Sequence, residues 1–386
     1  MAHETVSDPN PALGDPAVDI LGTCRALSAV AAPAGNEDRL TAAVEAHLRA
    51  RGLEPVVDRL GQVAVELGGA EGPCVLVTAH LDELGLVVRA VDEDGMLRVN
   101  RLGGVPDRAL PGTPLVVHTR EGDLPAVVGF KSYHLTPVEE RHTAPPASEL
   151  YLDLGATSRA EIEAAGIRVG DPVTYAPVWA ELTGGRFAGK SLDDRVGVAI
   201  LLACLERALA EAPPLRLVVA FTTQEEFHLR GALALVARFV PVIVVNVDIT
   251  PAGDTPDLTG VTPVRLGGGP VLSRHTFHGR GTLGGLLPHP ALVRVVEEAA
   301  SDTTTPLQYS TAVGVITDAA FLPMATAEGI AAVDVAVPCR YAHSPMEVAQ
   351  LSDVTACVDL LTALVPRLAA ADLSRGATQL LRGGLA

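Results

Sequence analysis

The sequence predicts an α/β fold: a mostly parallel central sheet flanked by helices, interrupted by an inserted small β-rich, barrel-like domain. Three observations lead there. Apolar strand-like runs alternate with helical patterns toward both ends of the chain, as expected of parallel strands joined through helices. Between about Val88 and Ala176 that alternation gives way to short β segments punctuated by Gly and Pro, the texture of a barrel or sandwich. The length, 386 residues, exceeds what one hydrophobic core usually serves. The chain therefore divides into 1–84 and 177–386, two parts of one α/β domain, and 85–176, the insert.

Residues before about Asp15 are polar and Pro-rich and read as a loose tail. Over 15–51 the pattern is helical, with Leu40, Val44 and Leu48 four apart on one face. The loop AAPAGNED separates two helices; Asn36 is placed to cap the second and Gly52 to end it. PVVDRLGQVAVEL reads as two strands about a Leu-Gly turn, and PCVLVTAHLDE as a buried strand with polar residues at its C-terminal end. LGLVVRAVDEDGMLRVNRLGG is a hairpin turning at Glu-Asp-Gly. Within the insert, TPLVVHT, PAVVGF, LYLDL and DPVTYA are strands, and TPVEERHTAPPAS is an exposed loop. SRAEIEAAGI is a short helix opened by a capping box of Ser158 and Glu161. After Phe187, DDRVGVAILLACLERALAE reads as an amphipathic helix and PALVRVVEEAA as another. LRLVVAFTTQEE, IVVNVDIT and AAVDVAVPCR read as strands.

A net charge of −17 argues against nucleic acid as a partner, because phosphate binding calls for Lys/Arg clusters. The five cysteines, Cys24, Cys74, Cys204, Cys339 and Cys357, have no zinc-ribbon or redox spacing; an odd count of mostly apolar-flanked thiols points to a reducing, cytoplasmic setting. No apolar segment follows a basic start and no apolar run reaches spanning length, so neither a signal peptide nor a membrane anchor is expected.

Polar and acidic residues gather where the strands end. His80 and Asp82 close VLVTAHLD, Asp193 and Asp194 precede a helix, Glu225 and Glu226 end LVVAFTTQEE, Asp248 ends IVVNVD, and His343 follows AVDVAVPCRYA. In open α/β sheets, ligands bind beyond the carboxyl ends of the strands. Two imidazoles with oxygen donors suit zinc or cobalt better than magnesium, and a carboxylate shared by two such ions makes a two-metal site. Each residue also has a plain structural reading: a strand-end His as a core or loop residue, a strand-end Asp as a turn or cap. Asp194 has one too, capping its helix and pairing with Arg195. Adjacent residues on an extended chain point to opposite faces, so one of Glu225 and Glu226 can reach a metal while the other faces a water. That also argues against a glycosidase, whose two carboxylates converge on one bond. The recurrence of His, Asp and Glu at strand ends is what favours the joint reading.

The segments TAHLDELGLVV, GKSLDDRVG, FTTQEEFHLRGA, VDITPAGDTPD, TDAAF and VPCRYAHSPMEV together resemble the deblocking or glutamyl aminopeptidases of the tetrahedral, TET type, which carry a co-catalytic metal pair. They occur in the family's order and cover nearly the whole chain. The resemblance implies a metallo-aminopeptidase that removes the N-terminal residue of short peptides with two divalent ions, zinc or cobalt. It implies that His80, Asp193 and Asp248 hold one ion, that Asp193 bridges to a second held by Glu226 and His343, and that Glu225 is the general base. Asp82 would hold the imidazole of His80. The family's β-rich insert mediates dimer formation, and six dimers can build a hollow dodecamer, so a homo-oligomer is expected.

The chain departs from the family's pattern at His228, where Gly usually follows QEEF, and at Val315 and Ile316, where a Gly pair usually precedes TDA. None of these is a ligand position; they bear on specificity. His228 is either a substrate contact or a residue of an exposed loop. The pocket changes motivate an alternative, a two-metal amidase or deacylase acting on a small modified amino acid or dipeptide. A non-catalytic assembly protein is a third reading, opposed by the complete set of ligands and base. A cellulase lacks its aromatic platform, Trp179 being the only Trp.

Overall fold

The computed structural model describes residues 12–69, 73–278 and 284–371. Most of the expected tail, residues 1–11, lies outside these; Leu13 is already buried in the main core.

Two helices open the chain, α1 (Ile20–Ala29) and α2 (Asp38–Ala50). Asn36 does not cap the second: the residue before it is Glu37, whose side chain instead accepts from the amides of Gly35 and, far along the chain, Gln224. Gly52 ends the helix with φ +75°, a conformation that suits glycine. Strands β1 (Val56–Val57) and β2 (Val63–Leu67) form the expected hairpin, and β3 (Cys74–His80) is buried along its full length.

The segment that follows forms a closed barrel. Its strands are β4 (Gly85–Val91), β5 (Leu97–Leu102), β6 (Pro114–Thr119), β7 (Gly122–Gly129), β8 (Tyr151–Asp153) and β9 (Pro172–Tyr175), in the order β4-β5-β8-β7-β6-β9. Pairing of Leu86 with Val173 closes it. Inward side chains such as Leu86, Val88, Val99, Val117, Val128 and Leu152 make a core separate from that of the α/β unit. The helix α3 (Arg159–Ala164) starts at Ser158, which accepts from the Glu161 amide. The reciprocal bond of the capping box is displaced by one residue: the Glu161 carboxylate takes the amide of Thr157.

A small sheet of β10 (Trp179–Leu182), β11 (Arg186–Gly189) and β18 (Glu347–Gln350) leads back to the α/β unit. There α4 (Leu192–Ala210), β12 (Arg216–Thr222), α5 (Ala232–Phe239) and β13 (Ile243–Pro251) follow in turn. Then come β14 (Val271–Phe277), β15 (Gly285–Leu286), α6 (Pro290–Asp302), β16 (Gln308–Val313), β17 (Ala331–Cys339) and α7 (Leu351–Leu368). The central strands β12-β3-β13-β17 are parallel, while the flanks β1-β2 and β14-β15 join antiparallel. Side chains alternate across the sheet. On β12, Leu217, Val219 and Phe221 face the core shared with α1, α2, α4, α6 and α7, whereas Val218 and Ala220 face α5.

The helix α4 is not amphipathic. Every residue from Leu192 to Ala203 is buried, because α1, α7 and the sheet all pack on it. A helix covered on all sides needs no polar stripe.

Candidate metal centre

The parallel strands β3, β12, β13 and β17 end at one rim, and each contributes to it. Thr222 is in register with His80 and Asp248 with Ala336, so the residues just beyond these positions converge. His80 is buried, with Nε2 3.1 Å from Asp193 Oδ1 and Nδ1 3.1 Å from the carbonyl oxygen of Asp82. The second oxygen of Asp193 lies 3.4 Å from Nε2 of His343, which is 3.8 Å from Glu226. The donor atoms of Asp193, Glu226 and His343 all lie within 4.8 Å of one another, and so do those of His80, Asp194 and Asp248. The five residues expected to hold metal thus lie around one rim, with Asp193 facing both imidazoles, while the carboxylate grouped with His80 and Asp248 is that of Asp194.

Asp193 and Asp194 have non-helical dihedrals, so the regular turns of α4 begin after them. Asp194 caps the helix, its Oδ1 accepting from the Gly197 amide, but it does not pair with Arg195. That guanidinium turns to the carbonyls of Leu27, Val30 and Leu81 and to Glu83. The same Glu83 carboxylate takes Lys190 and Ser191, so the neighbouring cations are occupied away from the cleft.

Asp82 stands beside the His80 imidazole and has a further task. Its Oδ1 is 3.6 Å from His80 Nδ1, and it is the main-chain carbonyl that lies closer to the imidazole. The carboxylate accepts from the amides of Glu225 and Glu226, both at 2.9 Å, and so fixes the turn that carries the acid pair.

The rim is short of positive charge. Burial pushes the carboxyls of Glu225 and Asp248 well above their usual range, and Glu226 up to about 7. Burial opposes charge on His343 as well, yet Glu226 and Asp193 raise it to about 10. Glu226 Oε1 and Asp194 Oδ2 are buried without a hydrogen-bond partner, a costly state unless a cation completes it. Imidazole and carboxylate donors gathered in this way fit a divalent ion.

A cavity of about 670 Å³ opens over these residues, lined among others by Arg101, Phe227, His228, His278, Val315 and Ile316. His228 is exposed and has φ +68°. Trp179 is not part of this lining and stacks on Phe187, 5.2 Å between centroids.

Two further residues contribute to the site. Glu347, buried, accepts from the amide of Asp193 at 2.9 Å and from that of His343 at 2.6 Å. Gly104, from the barrel, offers its carbonyl to His343 Nδ1 at 3.3 Å. An acid inside the apolar run after His343 was a readable signal for the first; a main-chain carbonyl leaves none for the second.

The family model for M42 glutamyl aminopeptidases matches residues 61–360. The chain belongs to this family. It is 34% identical to SgcX of Escherichia coli K12, a protein named as a candidate aminopeptidase, over 86% of this chain and 89% of that one. It is 31% identical to the lysyl aminopeptidase of Pyrococcus furiosus, over 83% and 89%. In three dimensions it is similar to the TET1 peptidase of Pyrococcus horikoshii, described as assembling into a tetrahedron or a large octahedral shell; the TM-score is 0.79, with 28% identity, 90% of this chain and 99% of that chain covered. This M42 protein is therefore a metal-dependent peptidase that acts at peptide N-termini. Among the described residues no helix is long and apolar enough to cross a membrane.

Proposed function

We propose that the protein cuts single residues from the N-terminus of short peptides with two divalent ions, zinc or cobalt. His80, Asp193 and Asp248 would hold one ion, and Asp193, Glu226 and His343 the other. The observation that carries this reading is the divided carboxylate of Asp193, one oxygen toward each imidazole. When bound, the ion pair would polarise the scissile carbonyl and acidify a water. Glu225, buried and with a raised proton affinity, takes the proton of the attacking water and hands it to the leaving amine. Asp82 keeps Glu225 aimed by holding its amide. Asp194 stays at the helix cap, its Oδ1 on the Gly197 amide. A rim this acidic favours a free α-ammonium over an acylated N-terminus.

The barrel supports an oligomer. Val127, Phe130, Tyr133, Leu135 and Val138 are exposed on it within one short stretch, the kind of apolar surface that partners cover. Dimers paired through this stretch would be the unit of a tetrahedral dodecamer. Five free thiols support a cytoplasmic location.

The test is a panel of peptides with free and with acylated N-termini, assayed on protein stripped by chelator and reloaded with zinc or cobalt. Turnover of the free amines alone, restored by metal, is the expected result. Preference for the acylated set would instead establish an amidase or deacylase.

A further inference from the structure

We propose that the inserted barrel is part of the metal centre: the Gly103–Gly104 turn orients the imidazole of His343 toward Asp193 and Glu226. This rests on the reading of His343 as a metal ligand.

His343 is poorly held by its own surroundings. It lies on a turn at φ +68°, and its side chain keeps 37% of its exposure. Packing alone does not choose between its two ring nitrogens. The Gly104 carbonyl makes that choice: it can only accept, so Nδ1 must carry the proton and donate to it. When a cation displaces the other ring proton, Nε2 is the nitrogen left free to hold it, on the side of Asp193 and Glu226.

The approach leaves no room for a side chain. A Cβ on Gly104 would stand 2.9 Å from Nδ1 and 3.1 Å from Cε1 of His343. At Gly103, which has φ +86°, it would meet Leu84 and the Glu226 main chain. A second barrel strand end reaches the same residue, with the Tyr175 hydroxyl 3.5 Å from the His343 carbonyl. At another point of the boundary the barrel is clamped to α2, where Arg39 makes two 2.7 Å bonds to Asp123 beside the β6–β7 turn. His80 and Asp248, by contrast, stand on the central sheet. A shift of the barrel against the α/β unit therefore reaches the His343 ion first.

The experiment is metal titration of stripped protein by chelator competition, for the parent chain, Gly104→Ala and His343→Ala. The parent should bind two ions. Gly104→Ala should lose tenfold or more in affinity for one of them, the range typical of partners that orient a ligand. That ion should be the one His343→Ala loses, while the other keeps parent affinity and the metal-free unfolding midpoint is unchanged. Parent-like binding of both ions by Gly104→Ala would overturn the inference alone. A parent chain binding fewer than two ions would overturn the metal-centre reading beneath it. Should Gly104→Ala not fold, Asp123→Ala loosens the barrel from a distance; it should weaken the same ion several-fold, and parent-like affinities for both ions would overturn the inference.

Discussion

Replacing Glu347 with Gln tests how the ligands are held. The carboxylate takes the amides of His343 and Asp193 at 2.6 and 2.9 Å, and all of it is buried. Hydrogen bonds to a charged acceptor contribute about 1.5–3 kcal/mol each. The amide keeps one acceptor oxygen and turns an NH2 toward the other N–H, so one bond is lost and the other weakens to neutral strength, a cost of about 2–4 kcal/mol. Burial pushes the Glu347 carboxyl up to about 8, so the full loss applies above that pH, where the carboxylate is charged, and relief of its desolvation offsets part of it. Both freed amides belong to proposed ligands, Asp193 facing both imidazoles, so we expect the weakening to appear in metal affinity, about 10–100-fold for the pair. Chelator competition on stripped protein reads it directly, and turnover at saturating metal should recover most of its parent value. An unchanged metal affinity beside a lowered unfolding midpoint would refute the reasoning and leave Glu347 a residue of the fold alone.

Glu225→Gln should retain both metals and lose turnover by a factor of about 10²–10⁴, the usual worth of general acid–base catalysis; loss of metal would make Glu225 a ligand, and retained turnover would remove it from the chemistry. His228→Gly should reorder the preference among acidic, neutral and basic N-terminal residues with metal content unchanged, and an identical ranking would move attention to Val315 and Ile316. Asp123 is partly buried, which alone would raise its carboxyl, but bonds from His118 and Arg39 hold it well below the usual carboxylate range. A depressed folded-state value stabilises above the unfolded-state pKa of about 3.9 and is lost as pH falls below it. The parent should therefore exceed Asp123→Asn by about 1–2 kcal/mol at neutral pH in urea unfolding, with the gap narrowing as the pH falls below about 5 and closing only well below about 3; a gap independent of pH would contradict this. Leu135→Glu together with Phe130→Asp should reduce the particle size in sedimentation while each subunit stays folded, and an unchanged particle would place the subunit contact elsewhere.

Much of the α/β unit is readable from local pattern. Apolar runs such as VLVTA and IVVNV are buried on both faces, which is why they show no alternation. The outer strands were harder: β14 and β16 pair with each other in parallel, with a bulge between Ser273 and His275, and neither stands out as an apolar run. The burial of α4 is set by how many neighbours pack on it, information that its own residues do not carry. At the site, residue type and strand-end placement single out His80, Asp82, Asp193, Asp194, Glu225, Glu226, Asp248 and His343; the choice of Asp193 rather than Asp194 as a ligand rests on the family resemblance. Asp82 lies beside His80 as its place two residues on suggests, but its hold on two amides 143 and 144 residues away in sequence is a long-range contact that spacing does not encode. Gly104 acts through its main chain, which composition and spacing do not encode.

The central claim is that one carboxylate, Asp193, joins two metal ions. Anomalous diffraction from crystals of the zinc- or cobalt-loaded protein tests it most directly. The account predicts two peaks roughly 3.5–4 Å apart, one beside His80 and Asp248, the other beside Glu226 and His343, with Asp193 between them. A single peak, or a pair with Asp193 ligating neither or only one, would contradict it.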